Sequence, residues 1–150
     1  IAVIDCDVHQ GNGTATILRD NDRVFTFSIH GARNFPFEKE SSDLDIELPD
    51  GTGDEEYLAV LDVGLAETLE RSQPQLAIYL AGADPYVGDR LGRLSLTIAG
   101  LAERDRRVLT ALRERNIPVA IAMAGGYAEP ITDTVTIHAA TITTARTMFG

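Results

Sequence analysis

Asp5, Asp7 and His9 stand at alternate positions directly after the apolar run Ile1-Ala2-Val3-Ile4, and Gly11, Gly13 and Thr14 follow. On extended backbone alternate side chains point the same way. Asp7 and His9 therefore present a carboxylate and an imidazole to one side. A further carboxylate from another strand end would complete a two-carboxylate, one-histidine site, and Asp84, after the apolar Leu76-Ala77-Ile78-Tyr79-Leu80, is the candidate. Catalytic zinc takes three protein ligands and keeps one position open for water or substrate. Bound metal lowers the pKa of water and polarises a carbonyl. The competing reading makes Asp7 and Asp84 cap or turn residues and His9 an ordinary loop histidine. Two carboxylates at the end of a buried strand favour the metal, because uncompensated charge there is expensive.

Asp5 lies deeper on the strand and needs partners: an imidazole, a cation, or neighbouring backbone N–H groups. Tyr127 follows Gly125-Gly126 at another strand end. Its phenol could donate to a developing oxyanion, or it is a packed loop residue. Phe35 and Phe37, in Asn34-Phe35-Pro36-Phe37, read either as apolar walls of a channel or as a satellite core under the loop. His138, on an apolar helix face, reads as structural, and His30 ranks equally low as a site residue. Cys6 alternates away from Asp5 and Asp7 and reads as a small buried hydrophobe. No Gly-x-Ser-x-Gly elbow is present. Gly11-Asn12-Gly13 lacks the third glycine of a dinucleotide fingerprint.

The elements that must position these groups alternate in type. Short apolar runs at Ala2-Val3-Ile4, Val24 to Ile29, Leu76 to Leu80 and Val119 to Met123 predict four strands. A turn and a helix are expected from Gly11 to Asp20, and helices from the Thr52–Glu55 capping box to Gln73, from an N-cap at Thr97 to Arg115, and after Tyr127 with Pro130 in the first turn. The last of these should turn Ile131, Val135, His138 and Ile142 inward. His30 to Gly53 and Gly82 to Leu94 read as long irregular loops. This β-α order predicts an α/β fold: a parallel sheet with helices on both faces. Ligands in such folds bind outside the carboxyl ends of the strands, which puts His9, Ser28 to Asn34, Asp84 and Tyr127 on one rim.

A chain of 150 residues suffices for one core. With 13 basic against 23 acidic residues its net charge is −10, which argues against a nucleic-acid surface and suits a cationic substrate. No apolar run spans a membrane, and no signal peptide is recognisable. The single cysteine, Cys6, can form no internal disulfide, so a reducing cytoplasm is expected.

Three stretches together resemble the zinc-dependent histone deacetylase and acetylpolyamine amidohydrolase family. Asp5-Cys6-Asp7-Val8-His9-Gln10-Gly11-Asn12-Gly13 is similar to its Asp-x-Asp-x-His segment. Ala81-Gly82-Ala83-Asp84-Pro85 with Gly88-Asp89-Arg90-Leu91-Gly92 resembles its second metal-ligand loop, and Gly125-Gly126-Tyr127 its tyrosine loop. Gln10, Asn12, the Phe35–Phe37 loop and Asp84-Pro85 look most like the class IV branch and its bacterial relatives.

The resemblance implies an arginase/deacetylase-like fold and hydrolysis of the amide of an acyl-lysine protein or peptide, or of an acylated small amine such as an acetylpolyamine. It implies zinc, with iron(II) as the alternative, on Asp7, His9 and Asp84, and Tyr127 as the oxyanion donor. Asp5 and Asn12 would orient two catalytic histidines. A structural potassium ion would be held by Asp5, Asp7, His9, Ser28 and Ile29. Phe35, Phe37, Gly125 and Gly126 would line the substrate channel. The family's tandem His-His pair is not in this chain. Residues 1–150 are therefore expected to be the C-terminal portion of a longer catalytic domain and inactive alone. The rival expectation is a non-catalytic metal- or acyl-ligand-binding protein.

Overall fold

The computed structural model describes all of residues 1–150. In chain order the elements are β1 (Ala2–Asp5), α1 (Asn12–Leu18), β2 (Phe25–Gly31), β3 (Leu44–Leu48), α2 (Asp54–Ser72), β4 (Ala77–Ala81), α3 (Ile98–Glu114), β5 (Val119–Met123) and α4 (Ile131–Phe149). The strands form one parallel sheet in the order β3-β2-β1-β4-β5. β1 is central and buried on both faces, which is why its sequence is a continuous apolar run. The order reverses direction between β2–β3 and β4–β5, with β1 at the switch.

Right-handed crossovers then place α1 on one face and α2 and α3 on the other. α2 packs on β1, β2 and β3, α3 on α2, and α4 on α3. Ile4, Phe27 and Tyr79 lie side by side in register and are fully buried towards the α2–α3 layer. Leu61, Leu65, Leu101, Val108, Leu109 and Leu112 complete that core from the helices.

Three expectations are corrected. The stretch from His30 to Gly53 is not irregular throughout, because it contains β3. Leu44, Ile46 and Leu48 alternate there with Asp45 and Glu47, the period of a strand. Its flanking Asp43 bonds the N–H and hydroxyl of Thr26 on β2. The Thr52–Glu55 capping box does not form: Gly53 is the N-cap of α2 and no side chain caps it. Asp54 instead accepts the N–H and Oγ of Thr97, at 2.8 and 2.7 Å. Thr97 caps α3 as expected, accepting Gly100 N–H at 2.9 Å. On α4 the buried residues are Thr134, Ile137 and Thr141. Ile131, Val135 and Ile142 are exposed. α4 turns its small polar stripe inward because a buried carboxylate, Asp105 on α3, takes the Thr141 hydroxyl. No helix is long and apolar enough to cross a membrane.

Leu61 is fully buried between α2 and the sheet. Leu61→Ala is expected to destabilise the protein by about 2–5 kcal/mol, read by denaturant unfolding.

Candidate metal centre

β1 ends at Asp5, and the chain leaves the sheet through two carboxylate-anchored turns. Asp5 Oδ1 accepts the N–H of Asp7 at 3.0 Å, and Asp7 Oδ1 accepts the N–H of His9 at 2.9 Å. Asp84 follows β4 and reaches across to the same segment, accepting the N–H of Val8 at 2.9 Å through Oδ1. These bonds bring Asp7, His9 and Asp84 together, with ligand-type atoms all within 4.8 Å of one another. His9 Nδ1 lies 3.0 Å from Asp7 Oδ1 and 3.2 Å from Asp84 Oδ2. Asp84 is fully buried, while Asp7 and His9 are half-buried.

The electrostatics follow from this crowding. Hydrogen bonds to Asp7 and Asp84 hold the His9 imidazole pKa up to about 10. Burial pushes Asp84 up to about 6, against the bond from His9. Burial also raises Asp7, but the bonds from the His9 ring, His9 N–H and Gly125 N–H outweigh it and leave Asp7 below the usual carboxylate range. Asp5, buried behind them, is pushed up to about 7, again chiefly by burial.

The donor set and its surroundings fit a divalent cation. Two carboxylates and one imidazole are a ligand set that zinc and iron(II) accept. Glycines close the cradle. A Cβ on Gly82 would come within 2.7 Å of the Asp7 Cα and 2.8 Å of Asp84 Oδ1. One on Gly125 would strike Asp84 Oδ2 and come within 2.8 Å of Asp7 Oδ2. Backbone thus approaches the carboxylates where no side chain could.

Tyr127 is tied to this cluster through its own loop. Gly125 N–H donates to Asp7 Oδ2 at 2.7 Å, and Ala83 N–H donates to the Gly125 carbonyl at 2.7 Å. Tyr127 is half-exposed at the same rim. Gly126 packs against Thr134 and Ala83. Asn12 opens α1, its N–H donating to the Gln10 carbonyl. Ser28 is in register with Asp5 on the neighbouring strand and shares a 2.9 Å hydrogen bond with His30 Nδ1; Ile29 beside it is fully buried. Phe35 and Phe37 do not form a satellite core. They are 61% and 80% exposed and meet edge to face, with ring centres 6.0 Å apart. Lys39 donates to the carbonyls of Asn34 and Pro36 and so straps that loop.

Asp89, within Gly88-Asp89-Arg90-Leu91-Gly92, carries a role that the sequence pattern alone does not assign. One of its oxygens accepts the N–H groups of Leu91 and Gly92, and the other accepts the N–H of Tyr127 at 2.5 Å. It therefore fastens the tyrosine loop to the Asp84 loop. The one available signal was Asp followed by glycine three residues on, the pattern of a carboxylate-anchored turn.

The fold and this strand-end site define an α/β protein of the arginase/deacetylase type. Residues 1–143 match the histone deacetylase domain, and the chain belongs to that family. It is 46% identical over 149 residues to an uncharacterized protein of Picosynechococcus, covering 99% of this chain and 50% of that protein. It is 38% identical over 130 residues to histone deacetylase 2 of Arabidopsis thaliana, covering 85% of this chain and 34% of that protein. The chain thus spans a third to a half of these relatives. Acetylpolyamine aminohydrolase from Burkholderia pseudomallei shares the fold, with a TM-score of 0.81 at 23% identity, over 99% of this chain and 45% of that one. A histone deacetylase homologue from Aquifex aeolicus does so with a TM-score of 0.75 at 23% identity, over 97% and 41%.

His9→Ala and Asp84→Ala are each expected to abolish stoichiometric zinc uptake, measured by elemental analysis after dialysis; a full equivalent of zinc in both would contradict the ligand set. Gly125→Ala, by pressing on both carboxylates, is expected to weaken zinc binding about tenfold or more in a chelator competition.

Proposed function

We propose that the protein is the metal-bearing part of a deacetylase, a metal-dependent hydrolase of the amide of an acylated lysine or a similar acylated amine. The observation that carries this reading is the convergence of Asp7, His9 and Asp84 at the strand ends, with Tyr127 tethered to the same cluster through Gly125. Family membership supports it.

In this reading Asp7, His9 and Asp84 hold zinc, or iron(II) in its place. A metal ion there supplies Lewis acidity, polarising the carbonyl and making water acidic enough to attack near neutral pH. Tyr127 donates its phenolic O–H to the oxygen that gains charge as the carbonyl is attacked. Asp5 and Asn12 orient the imidazoles that move protons in the longer domain, as the family resemblance implies. Asp5, Asp7, His9, Ser28 and Ile29 hold a structural potassium ion. Phe35 and Phe37 are the apolar walls along which an acyl-amine chain enters, and Gly125 and Gly126 leave it room. A surface of net charge −10 steers a cationic amine substrate towards the rim. An acyl-lysine protein or peptide and an acetylated polyamine share this chemistry, and the acidic surface suits both. A reducing cytoplasm suits the unpaired, buried Cys6.

The test is an assay of the full-length protein against acyl-lysine peptides of graded acyl length and against acetylated polyamines. Turnover of one class with bound zinc supports the reading; zinc binding without turnover of any amide contradicts it in favour of a binding protein. Tyr127→Phe is expected to lower kcat by about 10²–10³ with zinc content intact, in line with the loss of one oxyanion donor. An unchanged kcat would remove Tyr127 from the mechanism.

A further inference from the structure

Beneath the cluster lies a fully buried ion pair that the proposed chemistry does not use. Arg104 and Asp105 sit in the middle of α3, 0% and 1% exposed. The guanidinium Nη1 of Arg104 donates to the Cys6 carbonyl at 3.2 Å and to the Gly82 carbonyl at 2.6 Å. Its Nε donates to Asp105 Oδ1 at 2.9 Å, and Nη2 lies 2.8 Å from the same oxygen. Asp105 also accepts the hydroxyls of Tyr79 on β4 and Thr141 on α4. One buried node therefore joins β1, β4, α3 and α4.

The two carbonyls it takes are placed tellingly in the chain. Cys6 lies between Asp5 and Asp7, and Gly82 lies two residues before Asp84. The last ladder bond here is Cys6 N–H to the Leu80 carbonyl, at 3.0 Å. Beyond it the two strands turn out towards the rim, and the guanidinium bridges them at that point. All three candidate ligands stand on these two strand ends.

We propose that Arg104 is a positioning residue for the metal ligands: its guanidinium ties Cys6 O to Gly82 O and so fixes the separation of the strand ends that carry Asp7, His9 and Asp84. The choice of side chain fits the task. Arginine has a planar, rigid fork, whereas lysine offers one flexible point charge. Asp105, with Tyr79 and Thr141 on its oxygens, holds the fork in orientation. A charge pair is a costly way merely to fill a core, since apolar residues of like volume are often as stable or more so. A role in geometry explains its presence.

This inference rests on the metal reading above, and the experiment separates the two. Zinc affinity is measured on the full chain by chelator competition, and stability by denaturant unfolding. The ligand-field absorption of the cobalt(II)-loaded protein reports ligand geometry without any activity assay. The variants are Arg104→Lys, which keeps the charge and loses the fork, and Arg104→Met with Asp105→Leu, which replaces the pair by apolar volume. Leu65→Ala, on α2 away from the site, controls for lost stability. The zinc Kd is expected to weaken about 10–100-fold in the Arg104 variants, the range for residues that orient metal ligands, with shifted cobalt bands. Leu65→Ala should lose stability and keep the wild-type Kd and spectrum. Arg104→Lys alone decides the matter where the double variant does not fold. Folded Arg104 variants with wild-type Kd and spectrum would overturn the inference alone, as would losses no larger than that of Leu65→Ala at equal stability. A wild-type chain that takes up no zinc would overturn the metal reading and the inference with it.

Discussion

Three carboxylates, Asp5, Asp7 and Asp84, crowd the carboxyl ends of two adjacent parallel strands with one imidazole among them. Charge taken out of water this way must be compensated, and the surrounding structure is organised around that need. Main-chain N–H groups do most of it. Asp7, His9, Val8 and Gly125 each lend one to a carboxylate. The turns after β1, the reach of Asp84 across from β4, and the docking of the tyrosine loop are all consequences of these donations. What remains is excess negative charge facing one histidine, which is the electrostatic condition for holding a cation.

The rigidity of that arrangement comes from below and its access from above. Below, the strands rest on the fully buried layer of Ile4, Phe27 and Tyr79, and on the Arg104–Asp105 pair that links both strand ends to α3 and α4. Above, the rim is built of loops fastened by hydrogen bonds: the tyrosine loop through Gly125 to Asp7 and through Asp89 to the N–H of Tyr127, and the Phe35–Phe37 loop through Asn34 to Leu91 and Arg93 and through Lys39 to the carbonyls of Asn34 and Pro36. Phe35, Phe37 and Tyr127 stand exposed on those loops.

The strands and the cluster were legible because each left a local pattern. β1, β2, β4 and β5 are dense apolar runs, and Asp7, His9 and Asp84 stand just after two of them. β3 was hidden because its alternation of Leu44, Ile46 and Leu48 lies among prolines, glycines and acidic residues that together read as loop. The Thr52–Glu55 box does not form because α2 starts one residue later, with Gly53 as its N-cap, and the Asp54 that follows is engaged by Thr97, 43 residues away, a contact no local motif can show. The inward face of α4 is not its apolar one: Thr134, Ile137 and Thr141 are buried while Ile131, Val135 and Ile142 are exposed. Its Thr141 instead answers a buried carboxylate on α3. That carboxylate and Arg104 look like solvent-facing charges when read singly. Their spacing says otherwise, since 101, 104, 105, 108, 109 and 112 form one continuous helical stripe.

The central claim is that this chain holds a metal ion on two carboxylates and one histidine. X-ray absorption at the zinc edge of the zinc-loaded chain tests it most directly. The account predicts oxygen and nitrogen ligands at about 2.0–2.2 Å with the outer-sphere scattering of a single imidazole and no sulfur. A sulfur ligand at about 2.3 Å, which only Cys6 and the two methionines could supply, or a second imidazole from His30 or His138, would contradict it.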